Sequence, residues 1–104
     1  MSNISPEEAQ KIIEGGKAVV IDVRTPAEFE EGHIPGAQNI DIYDTAFEEK
    51  IEMLSPDITY VVNCRSGGRS ASACSAMEEF GFTDARNLEG GIIAWEKAGL
   101  KTEK

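Results

Sequence analysis

A chain of 104 residues is the length of one domain, and it can bury roughly two-thirds of the surface it exposes when unfolded. At 40% hydrophobic and 28% charged residues, the composition is that of a folded protein rather than a disordered one. Nineteen acidic against ten basic side chains leave a net charge of −9, a field that repels phosphate backbones and anionic lipid, so neither nucleic acid nor membrane is an expected partner. No apolar run has the length of a membrane span. The start, Met1-Ser2-Asn3-Ile4-Ser5-Pro6, has neither the basic residues nor the apolar stretch of a signal peptide. Two cysteines cannot form a disulfide framework, and the expected location is the cytoplasm.

In chain order, Ser5-Pro6-Glu7-Glu8 is a capping box with proline at the first helical position. Ala9, Ile12 and Ile13 continue that helix, and Gly15-Gly16 stop it. The apolar run from Ala18 through Ile21-Asp22-Val23 predicts a strand buried on both faces. Thr25-Pro26-Ala27-Glu28-Phe29 opens a short helix by the same capping logic. A turn follows at His33-Ile34-Pro35-Gly36-Ala37, then a short strand over Gln38 to Ile40. Ala46 to Leu54 suits a helix with Phe47, Ile51 and Leu54 on one side. Thr59 to Cys64 is a second buried strand, Arg69 to Phe80 a helix closed by Gly81, Asp84 to Leu88 a short strand, and Ile92 to Ala98 a last helix ended by Gly99. Strands alternating with helices predict an α/β fold over residues 1–104: a central parallel sheet with helices on both faces and right-handed crossovers.

The chemistry concentrates in Asn63-Cys64-Arg65-Ser66-Gly67-Gly68-Arg69-Ser70. A cysteine closes a buried strand, a glycine-bearing loop follows, and a helix begins. The carboxyl ends of strands are where open α/β sheets bind ligands. Gly67 and Gly68 let the loop curl so that successive amide N–H groups point inward as an anion nest. The helix N-terminus behind them adds positive partial charge. Arg65 and Arg69 form a local cationic focus in an acidic chain. Each of these favours the thiolate, the nucleophilic form of a cysteine. Cys64 is therefore expected to be reactive, with an anionic or polarised group bound in the same cradle.

This chain resembles a single-domain rhodanese, a sulfurtransferase module. The likeness is carried by Ile21-Asp22-Val23-Arg24 with Glu28-Phe29, by Gly32-His33-Ile34-Pro35-Gly36-Ala37 with Asn39-Ile40, by Cys64 to Ser70, and by Asn87-Leu88-Glu89-Gly90-Gly91-Ile92 with Ala94-Trp95. The resemblance implies that Cys64 takes a sulfane sulfur, holds it as a persulfide and passes it to a thiol or cyanide. Arg65, Ser66, Gly67, Gly68 and Arg69 would bind a small anionic donor such as thiosulfate, with Ser70, Asp22 and Arg24 supporting the loop. It implies no metal and no cofactor. A sulfur-relay protein is a further candidate partner, and the alternative function is a persulfide carrier loaded by such a protein. Four residues separate Cys64 from Arg69, one fewer than in cysteine-dependent phosphatases. The smaller ring suits a sulfur atom better than a phosphoryl group.

Other residues carry plainer expectations. Cys74, in the helix after the loop, is read as a packed small side chain rather than a resolving thiol. His33 is read as part of a structural corner rather than a catalytic base. Arg24 is read as pairing with Glu28 to fix its corner, Trp95 as core or groove wall, and Ser66 as placing a hydroxyl near the sulfur. The acidic pairs Glu7-Glu8, Glu30-Glu31 and Glu48-Glu49 are read as solvated helix faces.

Overall fold

The two apolar runs that end at Asp22 and Asn63 become neighbouring strands of one parallel five-stranded sheet. The computed structural model describes residues 2–104. The elements are β1 (Ser2–Ile4), α1 (Pro6–Glu14), β2 (Val19–Asp22), α2 (Pro26–Glu31), β3 (Gln38–Asn39), α3 (Phe47–Glu52), β4 (Thr59–Asn63), α4 (Gly68–Glu79), β5 (Asp84–Leu88) and α5 (Gly91–Lys97). The strands lie in the order β1-β5-β4-β2-β3, and every pairing is parallel.

The apolar centres of β2 and β4 follow from burial on both faces. Val20 pairs with Val61 and Ile21 with Val62. Val20 and Val61 face one core with Ile4, Ala9, Ile34, Leu88, Ile92 and Trp95. Ile21 and Val62 face the other with Phe47, Ile51, Ala73, Cys74 and Met77. Helices α1 and α5 thus cover one face and α3 and α4 the opposite one. Each fully buried aliphatic side chain contributes roughly 1.5–3 kcal/mol of transfer free energy.

Helix starts follow the capping signals. Ser5 and Thr25 each close a complete capping box, with Glu8 and Glu28 as the reciprocal partners. The acidic pairs expected on solvated faces are exposed. Strand β1 was not expected, because Ser2-Asn3-Ile4 is too short and polar for periodicity to show. It forms because Ile4 finds the core and because Asn3 and Ile4 pair with Asn87 and Leu88 of β5. Helix α4 starts one residue before Arg69, and β4 ends one residue before Cys64, which puts the cysteine in the loop itself. No helix among the described residues is long and apolar enough to cross a membrane.

Candidate active site

Strands β2, β4 and β5 all deliver their carboxyl ends to the same edge of the sheet. Cys64 leaves β4 there and is 1% exposed. Its Sγ accepts a hydrogen bond from the Gly67 backbone N–H at 3.1 Å and lies 3.3 Å from the Ser70 hydroxyl. Gly67 adopts φ +115°, in the left-handed region that glycine tolerates, and this turns its N–H back onto the sulfur. Burial raises the Cys64 pKa, but the Ser70 hydroxyl and the backbone N–H groups of Ser70, Gly67 and Ser66 outweigh it and hold the thiol below its ordinary value. Ser66 contributes through its backbone; its side chain makes no hydrogen bond among the described residues.

The loop is seated on the N-terminus of α5. The Ile92 N–H donates to the Cys64 carbonyl at 3.0 Å and the Ile93 N–H to the Arg65 carbonyl at 3.2 Å. Two helix-terminal donors are thereby satisfied by the loop. Gly91 makes the approach feasible. A Cβ at that position would stand 2.4 Å from the Arg65 carbonyl oxygen, and φ there is +61°.

The two arginines of the loop part company. Arg69 forms a bidentate pair with Glu28 of α2, Nη1 to Oε1 at 2.8 Å and Nη2 to Oε2 at 3.0 Å. This pairing holds the Glu28 pKa down at about 2 and raises that of Arg69. The Arg69 guanidinium also lies 5.9 Å from the centre of the exposed Tyr43 ring. Arg65 is exposed and has no side-chain partner among the described residues. It borders a cleft of about 280 Å³, whose other walls include Glu28, Glu31, Ile92, Ile93 and Glu96.

The expected Arg24–Glu28 pair does not form. Thr25 caps α2, so Arg24 precedes the helix and does not share a face with Glu28. Its guanidinium turns back to buried Asp22, Nη2 to Oδ2 at 2.8 Å, and to the Gly32 carbonyl at 2.7 Å. Asp22 also accepts from Asn63 Nδ2 at 3.3 Å, which couples the ends of β2 and β4. Asn63 Oδ1 is left buried without a protein partner.

His33 stacks on Phe29 with ring centroids 3.7 Å apart, donates from Nδ1 to the Phe29 carbonyl and sits 3.5 Å from Glu103. It touches no part of the cysteine loop, as the structural-corner reading requires. Trp95 is core, its indole N–H bonded to the Lys101 carbonyl at 2.9 Å. Cys74 is fully buried, and burial pushes its pKa up to about 12. Among the described residues no three His, Cys, Asp or Glu side chains gather as a metal site.

Three contributors were not singled out from the sequence: Asn87 beside Ser70, Tyr43 over Arg69, and Gly91 under the loop. Asp22 and Asn63 are polar residues that close β2 and β4, a readable signal, whereas Asn87 lies inside the mixed strand Asp84–Leu88 and carries none.

Comparison with known proteins agrees with this geometry. The rhodanese-like domain family matches residues 5–98. A probable adenylyltransferase/sulfurtransferase of Mycobacterium tuberculosis is 42% identical over 92% of this chain, which spans only 25% of that protein's length. A thiosulfate sulfurtransferase of Pseudomonas aeruginosa is 38% identical over 88% of this chain and 81% of its own. The crystal structure of a rhodanese-related protein from Thermoplasma volcanium superposes with a TM-score of 0.88 at 31% identity, covering 99% of this chain and 98% of that one. With the strand order, the cysteine loop and these likenesses in agreement, the chain belongs to the rhodanese-like domain family.

Proposed function

We propose that the protein is a sulfurtransferase working through a Cys64 persulfide. The observation that carries this reading is the buried Sγ, held by the Gly67 N–H and the Ser70 hydroxyl in a loop that lowers its pKa. The Cys64 thiolate attacks the sulfane sulfur of thiosulfate. The Sγ–S bond forms as the donor's S–S bond breaks, and sulfite leaves with the electron pair. A thiolate or cyanide then attacks the outer sulfur, the Sγ–S bond breaks, and the Cys64 thiolate returns.

Burial of Sγ fits this chemistry. A sulfane sulfur is a single atom at the end of its donor and can enter a narrow mouth. Once bound, it stands roughly 2 Å further out, toward an acceptor. Arg65, free at the mouth, takes the anionic end of the donor. The backbone of Ser66, Gly67 and Gly68 lines the cradle. Arg69 gives two of its five N–H donors to Glu28 and keeps its positive charge beside the loop. The Asp22–Arg24 pair and Ser70 fix the loop from behind. The two free thiols suit a reducing, cytoplasmic setting.

The second reading is a carrier loaded by a partner protein's persulfide. It is favoured by the Mycobacterium tuberculosis relative, in which a region like this chain accompanies a much longer sequence. Thiocyanate formation from thiosulfate and cyanide tests the proposal. Turnover that vanishes in Cys64→Ser supports it, and turnover that survives in that variant overturns it. A wild-type rate no faster than the uncatalysed reaction, with Cys64 still accepting sulfur from a protein persulfide, would favour the carrier.

A further inference from the structure

Ser70 has one hydroxyl proton and three acceptors around it. Its Oγ lies 3.3 Å from Cys64 Sγ, 3.2 Å from the Gly67 carbonyl oxygen and 2.5 Å from Asn87 Oδ1. A hydroxyl donates one hydrogen bond at a time. The short contact to Asn87 is therefore made at the expense of the sulfur. Asn87 is 7% exposed, at the end of β5. Its amide cannot turn over freely, because Nδ2 donates to the Gly67 carbonyl at 3.3 Å and to Asn3 Oδ1 at 3.2 Å. The carbonyl can only accept, so Nδ2 must face it and Oδ1 must face Ser70.

We propose that Asn87, oriented by the Gly67 carbonyl and Asn3, is a positioning residue whose Oδ1 accepts the Ser70 hydroxyl hydrogen bond whenever Sγ is uncharged and gives up that bond when Sγ is a thiolate. In the thiol state Cys64 S–H donates to Ser70 Oγ, and Ser70 donates to Asn87. In the thiolate state the hydroxyl turns to Sγ, and Asn87 Oδ1 loses its donor. When Sγ carries a second sulfur the negative charge moves to the outer atom, and the Ser70 hydrogen bond returns to Asn87. Asn87 thus favours the two uncharged states of Sγ, and it biases the cysteine toward the loaded form. This consequence rests on the sulfur-transfer reading, whereas the hydrogen-bond switch itself does not.

The charged groups on the elements that adjoin the cysteine loop are Asp22 and Arg24 at the end of β2, Glu28 on α2, Arg65 and Arg69 on the loop and α4, and Glu96 on α5, with Arg69 interacting directly with Cys64. The buried thiol of Cys74 lies on α4. All are retained when Asn87 or Ser70 is replaced, so they cancel in a double-mutant comparison.

The test is the pH dependence of Cys64 alkylation by iodoacetamide, read by peptide mapping in the full chain. The proteins compared are the wild type, Asn87→Leu, Ser70→Ala and the double variant. Leucine has the branching and heavy-atom count of asparagine without its acceptor. The midpoint is expected to fall by about half to one pH unit in Asn87→Leu, rise in Ser70→Ala, and show no effect of Asn87→Leu once Ser70 is gone. A shift of equal size with and without Ser70, an upward shift or no shift overturns the switch. Should Asn87→Leu fail to fold, Asn3→Ala, at an exposed position of β1, takes its place: a smaller downward shift that requires Ser70 supports the switch, and its absence overturns it. No sulfur donor enters this measurement, so failure of persulfide formation and failure of the switch are separately visible. Where sulfur transfer holds, the persulfide fraction at a fixed thiosulfate-to-sulfite ratio should drop roughly threefold or more in Asn87→Leu.

Discussion

Arg69 and Glu28 meet fork to fork, with contacts of 2.8 and 3.0 Å, and tie the helix that follows the cysteine loop to the helix that follows β2. Glu28 Oε1 also accepts from the Thr25 N–H and hydroxyl, so one carboxylate caps α2 and anchors α4 together. The folded-state pKa of Glu28, about 2, lies below the ordinary value of 4.5. The pair therefore stabilises the fold above the ordinary value, and this contribution is lost as pH falls toward about 2. Glu28→Gln should reduce stability at neutral pH by about 1 kcal/mol after allowance for solvent screening. Urea unfolding as a function of pH should show a shallower acid limb in this variant than in the wild type. Parallel limbs would mean that the pair contributes nothing.

Arg65 is the guanidinium left free at the mouth, and its removal should act on the donor rather than on the fold. Arg65→Ala is expected to raise KM for thiosulfate about tenfold, the equivalent of one charge-assisted hydrogen bond. The thermal midpoint should stay at the wild-type value. A fall in Tm with KM unchanged would show that the side chain serves structure instead.

Gly91 is where two backbones touch. A Cβ there meets the Arg65 carbonyl oxygen at 2.4 Å and cannot be relieved by moving a flexible side chain. Gly91→Ala should destabilise the chain by roughly 1–3 kcal/mol from positive φ alone, and more if the loop resists displacement. It should also raise the pH midpoint of Cys64 alkylation, because the loop that donates to Sγ must shift. Wild-type stability and alkylation in this variant would refute the close approach.

Much of this fold is legible in the sequence. Capping boxes at Ser5 and Thr25 mark helix starts because a side-chain oxygen three residues before a glutamate satisfies local donors. The apolar runs of β2 and β4 mark strands because both faces are buried. The cysteine, the glycines and Ser70 are contiguous, so the loop could be read directly. What escaped depends on contacts between distant segments. Glu28 and Arg69 are 41 positions apart, and Asn3 and Asn87 are 84 apart. Their meeting is set by strand order, which local periodicity does not encode. The expected Arg24–Glu28 pair does not form because Thr25 caps α2, leaving Arg24 outside the helix to pair with Asp22 while Glu28 meets Arg69.

Cys74 should stay silent. Burial puts its pKa at about 12, and no surface reaches it. Iodoacetamide at neutral pH should label Cys64 alone in the native chain and both cysteines in urea. Cys74→Ala should retain thiocyanate formation within about twofold while losing roughly 1 kcal/mol of stability to the missing volume. Loss of turnover with the fold intact would restore a resolving role to this thiol.

Whether Cys64 accepts a single sulfur atom is read from the intact mass of the reduced protein after incubation with thiosulfate. A gain of one sulfur, removed by cyanide and absent in Cys64→Ser, is the expected result. An unchanged mass in the wild type, or the same gain in Cys64→Ser, would contradict it.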